Sequence, residues 1–405
     1  MNIKDNKFPI GIIEGYFGEY WSMKDRLSYP KWLKRNSYNF FIYAPKNDKA
    51  LRLNWDKPFT KEWLSEIQGF AKECKDNDIA FGVGFTPKGA TLDLETNLPK
   101  IHTKILEIIN NLEIQNLAIL FDDLKIDNEH EGQKQNKILR EVFDILEKHF
   151  KETNKKIGLI TCPSFYTTDP ILEKVFGKMP ENYFKDFLEG LSPTIDIFWT
   201  GEKVISETYN VSNLTLALKN LGRKPFIWDN YPVNDGKSAS DKLFLNPFKD
   251  RSVIFNYSSG IAINPMKEAN LSKIPLVTLH KALINKNEEI LNEEILNEEI
   301  LTKALFNESK NENLKPLNND FNSLNKDKEK NNNSKFLFTF LIENAQNLAN
   351  EGISNLTISQ KNEIINKLRS FASLGIKEEI IKDLIQELVK FYEGKYAFDP
   401  ACLTG

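Results

Sequence analysis

A chain of 405 residues, 40% hydrophobic and 27% charged, is long enough for a large buried core and too apolar for a disordered protein. Its 54 Lys and Arg against 57 Asp and Glu leave a net charge of −3, which excludes the basic footprint of a nucleic-acid binder. Three cysteines, Cys74, Cys162 and Cys402, stand far apart in sequence, which excludes a disulfide scaffold and fits a reducing compartment.

The first residues carry no apolar stretch behind a basic start, and no segment reaches the ~18 apolar residues of a membrane span. We therefore expect a cytoplasmic protein with no membrane partner. His102, His130, His149 and His280 never fall at metal-ligand spacing, so neither a histidine-built metal site nor a cofactor is expected.

Short apolar and β-branched runs at 10–14, 39–44, 79–85, 117–121, 157–161, 195–199, 225–229 and 260–264 read as strands. Amphipathic stretches at 61–77, 98–112, 135–153, 211–221 and 274–284 read as helices between them. Strand and helix in strict alternation imply a parallel sheet. Eight such repeats in about 275 residues match a (β/α)8 TIM barrel, whereas an open doubly wound sheet usually stops at about five to seven strands.

After residue 284 the composition changes. The motif NEEIL occurs three times over 287–301, and a period of five advances about 140° per repeat around a helix, so its apolar pairs make no single stripe. The repeats read as a short-repeat expansion, solvated or loosely helical, rather than a packed element or coiled coil. Ten Asn between Asn307 and Lys335 mark a flexible insertion or linker. Helical patterns resume at 336–350, 359–374 and 377–393, with Thr357 and Gln360 spaced as a capping box and Gly352, Gly375 and Gly394 at their ends. The expected organisation is a barrel over 1–285, a low-complexity segment over 286–335 and a small all-α region over 336–405. That region would pack on the barrel or mediate self-association.

Catalytic groups of such barrels come from the C-terminal ends of the strands. Those ends carry Gly15, Lys46, Thr86, Asp122 and Asp123, Tyr166, Thr200, Trp228 with Asn230 and Asp235, and Asn264. Carboxylates and amides for hydroxyls, a cation, and aromatic walls for apolar ring faces are the mixture a sugar pocket needs. Asp122-Asp123, emerging from an apolar strand, is the sharpest feature, because two adjacent and partly desolvated carboxyls repel, and one is driven toward its protonated form. Mg²⁺ would also suit such a pair but would want a third acid, and the adjacent strand ends offer Thr86 and Tyr166 instead. Lys46 is placed to donate to a hydroxyl. Asp235 also suits a helix cap and Asn264 a turn.

The stretches 13–18 (IEGYFG), 43–46 (YAPK), 121–123 (FDD), 162–166 (CPSFY), 199–204 (WTGEKV) and 227–230 (IWDN), with Asp235 and Asn264-Pro265, follow one another through all eight strands. In this ordered set the chain resembles the family 84 glycoside hydrolases, the β-N-acetylglucosaminidases that include protein O-GlcNAcases. The resemblance implies substrate-assisted, retaining, exo-acting hydrolysis of terminal β-linked GlcNAc on a glycoconjugate, a departure from the two-carboxylate rule of most glycosidases. It implies that Asp122 orients the 2-acetamido N–H and that Asp123 is the general acid and base. Tyr166 would bond the acetamido group, Thr200, Val204 and Trp228 would form its pocket, and Asn230 would steady the carboxylates. The Gly15 carbonyl, Lys46, Asp235 and Asn264 would hold the sugar hydroxyls. Two departures stand out: Tyr16-Phe17 inverts the family's usual Phe-Tyr order, and the third strand ends in an altered Thr86-Pro-Lys-Gly89 loop. The competing functions are a lapsed barrel that only binds GlcNAc and an endo-acting hexosaminidase on glycan polymers.

Overall fold

Eight parallel strands pair in chain order and close into a barrel, β8 returning to β1. The computed structural model describes residues 8–126, 128–284, 295–306, 328–374, 376 and 378–404. The strands are β1 (Ile10–Glu14), β2 (Phe40–Tyr43), β3 (Ala80–Phe85), β4 (Asn116–Leu120), β5 (Gly158–Cys162), β6 (Asp196–Trp199), β7 (Phe226–Asp229) and β8 (Gly260–Ile263). The fold is the expected TIM barrel, and each strand lies within one residue of its expected bounds.

The strands are buried almost throughout, because side chains alternate between a packed interior and a shell of helices. Glycines alternate with large rings to fill that interior. A Cβ at Gly11 would stand 2.4 Å from the Phe40 ring, and one at Gly260 would stand 2.3 Å from Phe226. Phe40 and Phe226, on strands that do not pair, meet edge-on with centroids 5.9 Å apart. Phe198 packs 5.6 Å from Phe226 and 5.1 Å from Trp228, so an aromatic column rises through the barrel to the strand end where Trp228 sits.

The outer helices Lys61–Asp76, Leu94–Asn111, Glu131–Thr153 and Val211–Leu221 follow the expected periodicity. Leu94–Asn111 starts before its expected first residue because Asp93 caps it, accepting from the Thr96 amide. The stretch expected as one helix over 274–284 is two, Ala269–Leu276 and Leu279–Ile284.

Two expectations beyond the barrel are corrected. The third NEEIL repeat lies on a packed helix, Glu298–Leu305, where Ile300, Leu301, Ala304 and Leu305 are buried and the Ala304 carbonyl accepts from Trp32 Nε1 at 2.7 Å. The repeat supplies only the first apolar pair. Ala304 and Leu305, one turn further on and outside the repeat, complete the stripe that a strict period of five lacks. The next helix spans Lys328–Asn350, so it begins inside the stretch read as a linker. The first repeat and residues 307–327 lie outside the described residues, as does Gly375.

The helices Ile358–Ala372 and Glu379–Tyr392 complete the C-terminal layer, the former with the Thr357 and Gln360 capping box. That layer packs on the barrel. Its principal polar anchor is Glu387, a buried carboxylate that accepts from the Asn270 amide at 2.8 Å and the Leu271 amide at 2.9 Å. Those amides open the helix Ala269–Leu276, which has no cap of its own, so a side chain from the outer layer satisfies them. Among the described residues, no helix is long and apolar enough to cross a membrane.

Candidate active site

A cavity opens at the C-terminal ends of the strands. Gly15, Asp122, Asp123, Tyr166, Thr200, Val204, Trp228, Asn230, Asp235 and Asn264 all line it. Residues from six strand ends, far apart in sequence, thus converge on one space.

The end of β1 is stapled to the ends of β7 and β8 by side chains. The Gly15 amide donates to Asn264 Oδ1 at 3.1 Å, and the Phe17 amide donates to Asp235 Oδ2 at 2.8 Å. Residue 15 must be glycine here, since a Cβ would stand 2.6 Å from the Trp228 ring. Trp228 Nε1 and Asn264 Nδ2 both donate to Asn230 Oδ1, at 2.9 and 3.0 Å, while Asn230 Nδ2 donates to the Val204 carbonyl at 2.8 Å. Asn230 therefore braces the wall rather than the carboxylates it was expected to steady. Thr200 Oγ1 donates to the Lys203 carbonyl at 2.8 Å, which folds the loop carrying Val204 back onto the cavity.

Lys46 is placed differently from expectation. It is buried beside the cavity without lining it, and its ammonium forms an ion pair with Asp122 Oδ2. Phe17 and Trp228 flank that ammonium, with ring centroids 6.0 and 5.7 Å away. The strand-end rule finds Lys46 just beyond β2 but does not identify Asp122 as its partner. Asp122 Oδ1 is buried and has no hydrogen-bond partner among the described residues. Such an acceptor is costly to leave unmet, and on a cavity-lining residue it is open to a donor brought by a ligand.

Asp123 is partly exposed at the cavity wall and accepts from the Tyr166 hydroxyl at 3.0 Å. Loss of solvent raises its pKa most, the Asp122 carboxylate adds to the rise, and Lys46, Arg52 and Tyr166 oppose it. The net direction is upward, which favours the protonated carboxyl. The backbone of Asp123 is left-handed, with φ at 56°, a conformation that non-glycine residues adopt at a cost. Asp235 is pushed up to about 6, chiefly by burial.

Sequence reasoning missed several participants. Phe17, Cys162, Ile205, Val233, Cys402 and Thr404 also line the cavity, and Arg52 lies beneath Asp123. Cys162 closes β5 and was legible from strand position alone. Cys402 and Thr404 come from the far end of the chain and had no local signal. Glu14, another strand-end carboxylate, is no cavity residue; it is buried against Arg26, with contacts of 2.7 and 2.8 Å, and anchors the loop after β1.

Comparison with known proteins adds three findings. A family model described as beta-N-acetylglucosaminidase matches residues 10–319. The proteins named protein O-GlcNAcase in Rattus norvegicus and Mus musculus are each 26% identical to the chain over 282 residues, which is 67% of this chain and 30% of theirs. The chain thus spans under a third of the length of these relatives. A mutant of Thermobaculum terrenum O-GlcNAc hydrolase has a fold similar to this one, with a TM-score of 0.64 at 22% identity over 96% of this chain and 78% of that one.

Proposed function

From the premise that this chain belongs to the beta-N-acetylglucosaminidase family of glycoside hydrolases, we propose that it is an exo-acting, retaining enzyme that removes terminal β-linked GlcNAc from a glycoconjugate. The observation that carries the reading is the unmet acceptor on Asp122 beside a carboxyl of raised pKa, both lining a cavity at the strand ends.

An acetamido N–H entering the cavity supplies the donor that Asp122 Oδ1 lacks. The bond draws electron density toward the acetamido oxygen, which attacks the anomeric carbon and forms an oxazoline-like intermediate, so that no enzyme carboxylate is glycosylated. Lys46 balances the charge on Asp122, and an ammonium has donors beyond the one given to the carboxylate with which to meet a sugar hydroxyl. Asp123 gives its proton to the leaving oxygen, then removes one from the water that opens the intermediate. Tyr166, 3.0 Å from Asp123, offers a hydroxyl for which the acetamido oxygen competes. Thr200, Val204 and Trp228 surround the acetyl methyl. Asp235 and Asn264, across the cavity from the acid pair, hold the remaining hydroxyls.

The test is turnover of an aryl β-GlcNAc beside the matching β-glucoside and a hyaluronan polymer. Cleavage of the first alone is expected. Full activity on the glucoside, which has no acetamido group, contradicts the mechanism. Endo-cleavage of the polymer contradicts the exo assignment, and GlcNAc binding without turnover marks a lapsed barrel.

A further inference from the structure

We propose that residues 395–404 form the wall that closes the pocket beyond the far end of the sugar, and so restrict turnover to residues whose 4- and 6-hydroxyls are unsubstituted. The inference rests on the function proposed above, because it needs a sugar in the cavity and an orientation for it.

After the helix Glu379–Tyr392 the chain returns across the mouth of the barrel and is tied to three strand ends. Asn47, beside the buried Lys46, donates from Nδ2 to Asp399 Oδ2 at 2.8 Å. Lys267, beyond β8, donates from Nζ to the Tyr396 carbonyl at 2.7 Å. Gly18, beyond β1, faces the Ala397 carbonyl, which lies 3.9 Å from where a Cβ would stand. Within the segment, Asp399 builds a turn: its Oδ1 accepts from the Ala401 amide at 2.9 Å and its carbonyl accepts from the Cys402 amide at 2.9 Å. The turn sets Cys402, 5% exposed, and Thr404 into the cavity lining.

The side on which they stand is fixed by their neighbours. Lys267 interacts electrostatically with both Asp235 and Cys402. Asp235 in turn is bound to the loop that carries Phe17 and Gly18. The segment therefore meets the cavity at the Asp235 side, whereas the acid pair marks where the anomeric carbon and the 2-acetamido group lie. In a pyranose, the 4- and 6-hydroxyls are directed away from that bond. A substituent on either would run into residues 395–404.

The experiment uses the full chain and three probes: 4-methylumbelliferyl β-GlcNAc and its 4-O-methyl and 6-O-methyl ethers. One extra carbon against a closed wall costs roughly 10–200-fold in kcat/KM, and that penalty is expected of the unaltered chain. Two variants loosen the wall by different means. Asp399→Ala removes the turn and the tie to Asn47, and Cys402→Gly with Thr404→Gly removes the lining side chains while leaving the ties. In either, the ratio of ether to parent turnover should rise about tenfold or more, whereas general loss of fold would lower both rates together. An unchanged ratio in both variants overturns the proposal, as does an unaltered chain that cleaves ethers and parent equally. A chain inert toward the parent glycoside overturns the proposed function itself, and this inference with it.

Discussion

Arg52 donates from Nη2 to the backbone carbonyl of Asp123 at 3.3 Å, and so braces from below a residue whose φ of 56° is otherwise unfavourable. The same guanidinium lies 5.0 Å from the Phe17 ring centroid and opposes the upward shift of the Asp123 carboxyl. One side chain thereby controls both the geometry of the proposed acid and its readiness to ionise.

For Arg52→Met the two effects separate in a pH–rate profile. The acid must be protonated to act, so activity falls as pH rises through its pKa. Removing a nearby cation makes ionisation harder, which raises that pKa and moves the alkaline limb of kcat/KM to higher pH. Lost positioning should also lower the rate about tenfold to a hundredfold. Arg52→Lys, which keeps the charge without the planar donor, should lose rate while the limb stays in place.

Asp122 and Asp123 should respond differently to the leaving group. Asp123→Asn is expected to lose most activity on a glycoside of a poor leaving group and to keep much of it on one whose acidic phenol departs without a proton. Asp122→Asn should slow both, on the order of 10²-fold or more, because assistance to the acetamido group is needed whatever departs. Equal losses across all four combinations would refute the division of roles.

Gly15→Ala should cost more than one methyl group implies. The new Cβ must displace the Trp228 ring, whose Nε1 holds Asn230 and through it Asn264. We expect kcat/KM to fall on the order of 10²-fold, with about 1–3 kcal/mol lost in urea unfolding.

Activity is expected to survive excess EDTA. Where a divalent ion would neutralise the carboxylate pair, the Lys46 ammonium already contacts Asp122. Inactivation by EDTA that added Mg²⁺ reverses would assign the pair to metal binding.

Glu387→Ala should destabilise the whole chain by about 2–4 kcal/mol, since the buried Asn270 and Leu271 amides lose their acceptor. Glu387→Gln keeps a carbonyl oxygen there and should recover part of the loss. Urea unfolding of both variants measures this, and an effect confined to the C-terminal helices would contradict the coupling.

The barrel was legible because a strand buried on both faces writes a short apolar run and the helices between write a different period; all eight strands could be bounded to within a residue. Helices such as Met23–Leu27, Tyr29–Arg35, Ile171–Phe176 and Tyr183–Leu188 were not, being too short to show a period at all. At the site, strand position alone found cavity-lining residues at six strand ends. It could not tell that Lys46 pairs with Asp122 or that Asn230 braces Val204, because partner choice depends on side-chain direction rather than on place along a strand. Arg52, Cys402 and Thr404 were out of reach for another reason: only the tertiary path of loop and tail brings them to the site.

The lining contributed by Cys402 and Thr404 has a meaning for the newborn chain. Once β8 has left the ribosome it can pair with β1, and the barrel has everything it needs to close. The cavity does not, since part of its boundary is still to be translated. Closure of the barrel and completion of the site therefore come at different times: a closed barrel comes first, and a complete binding site only once the residues around Cys402 have been made.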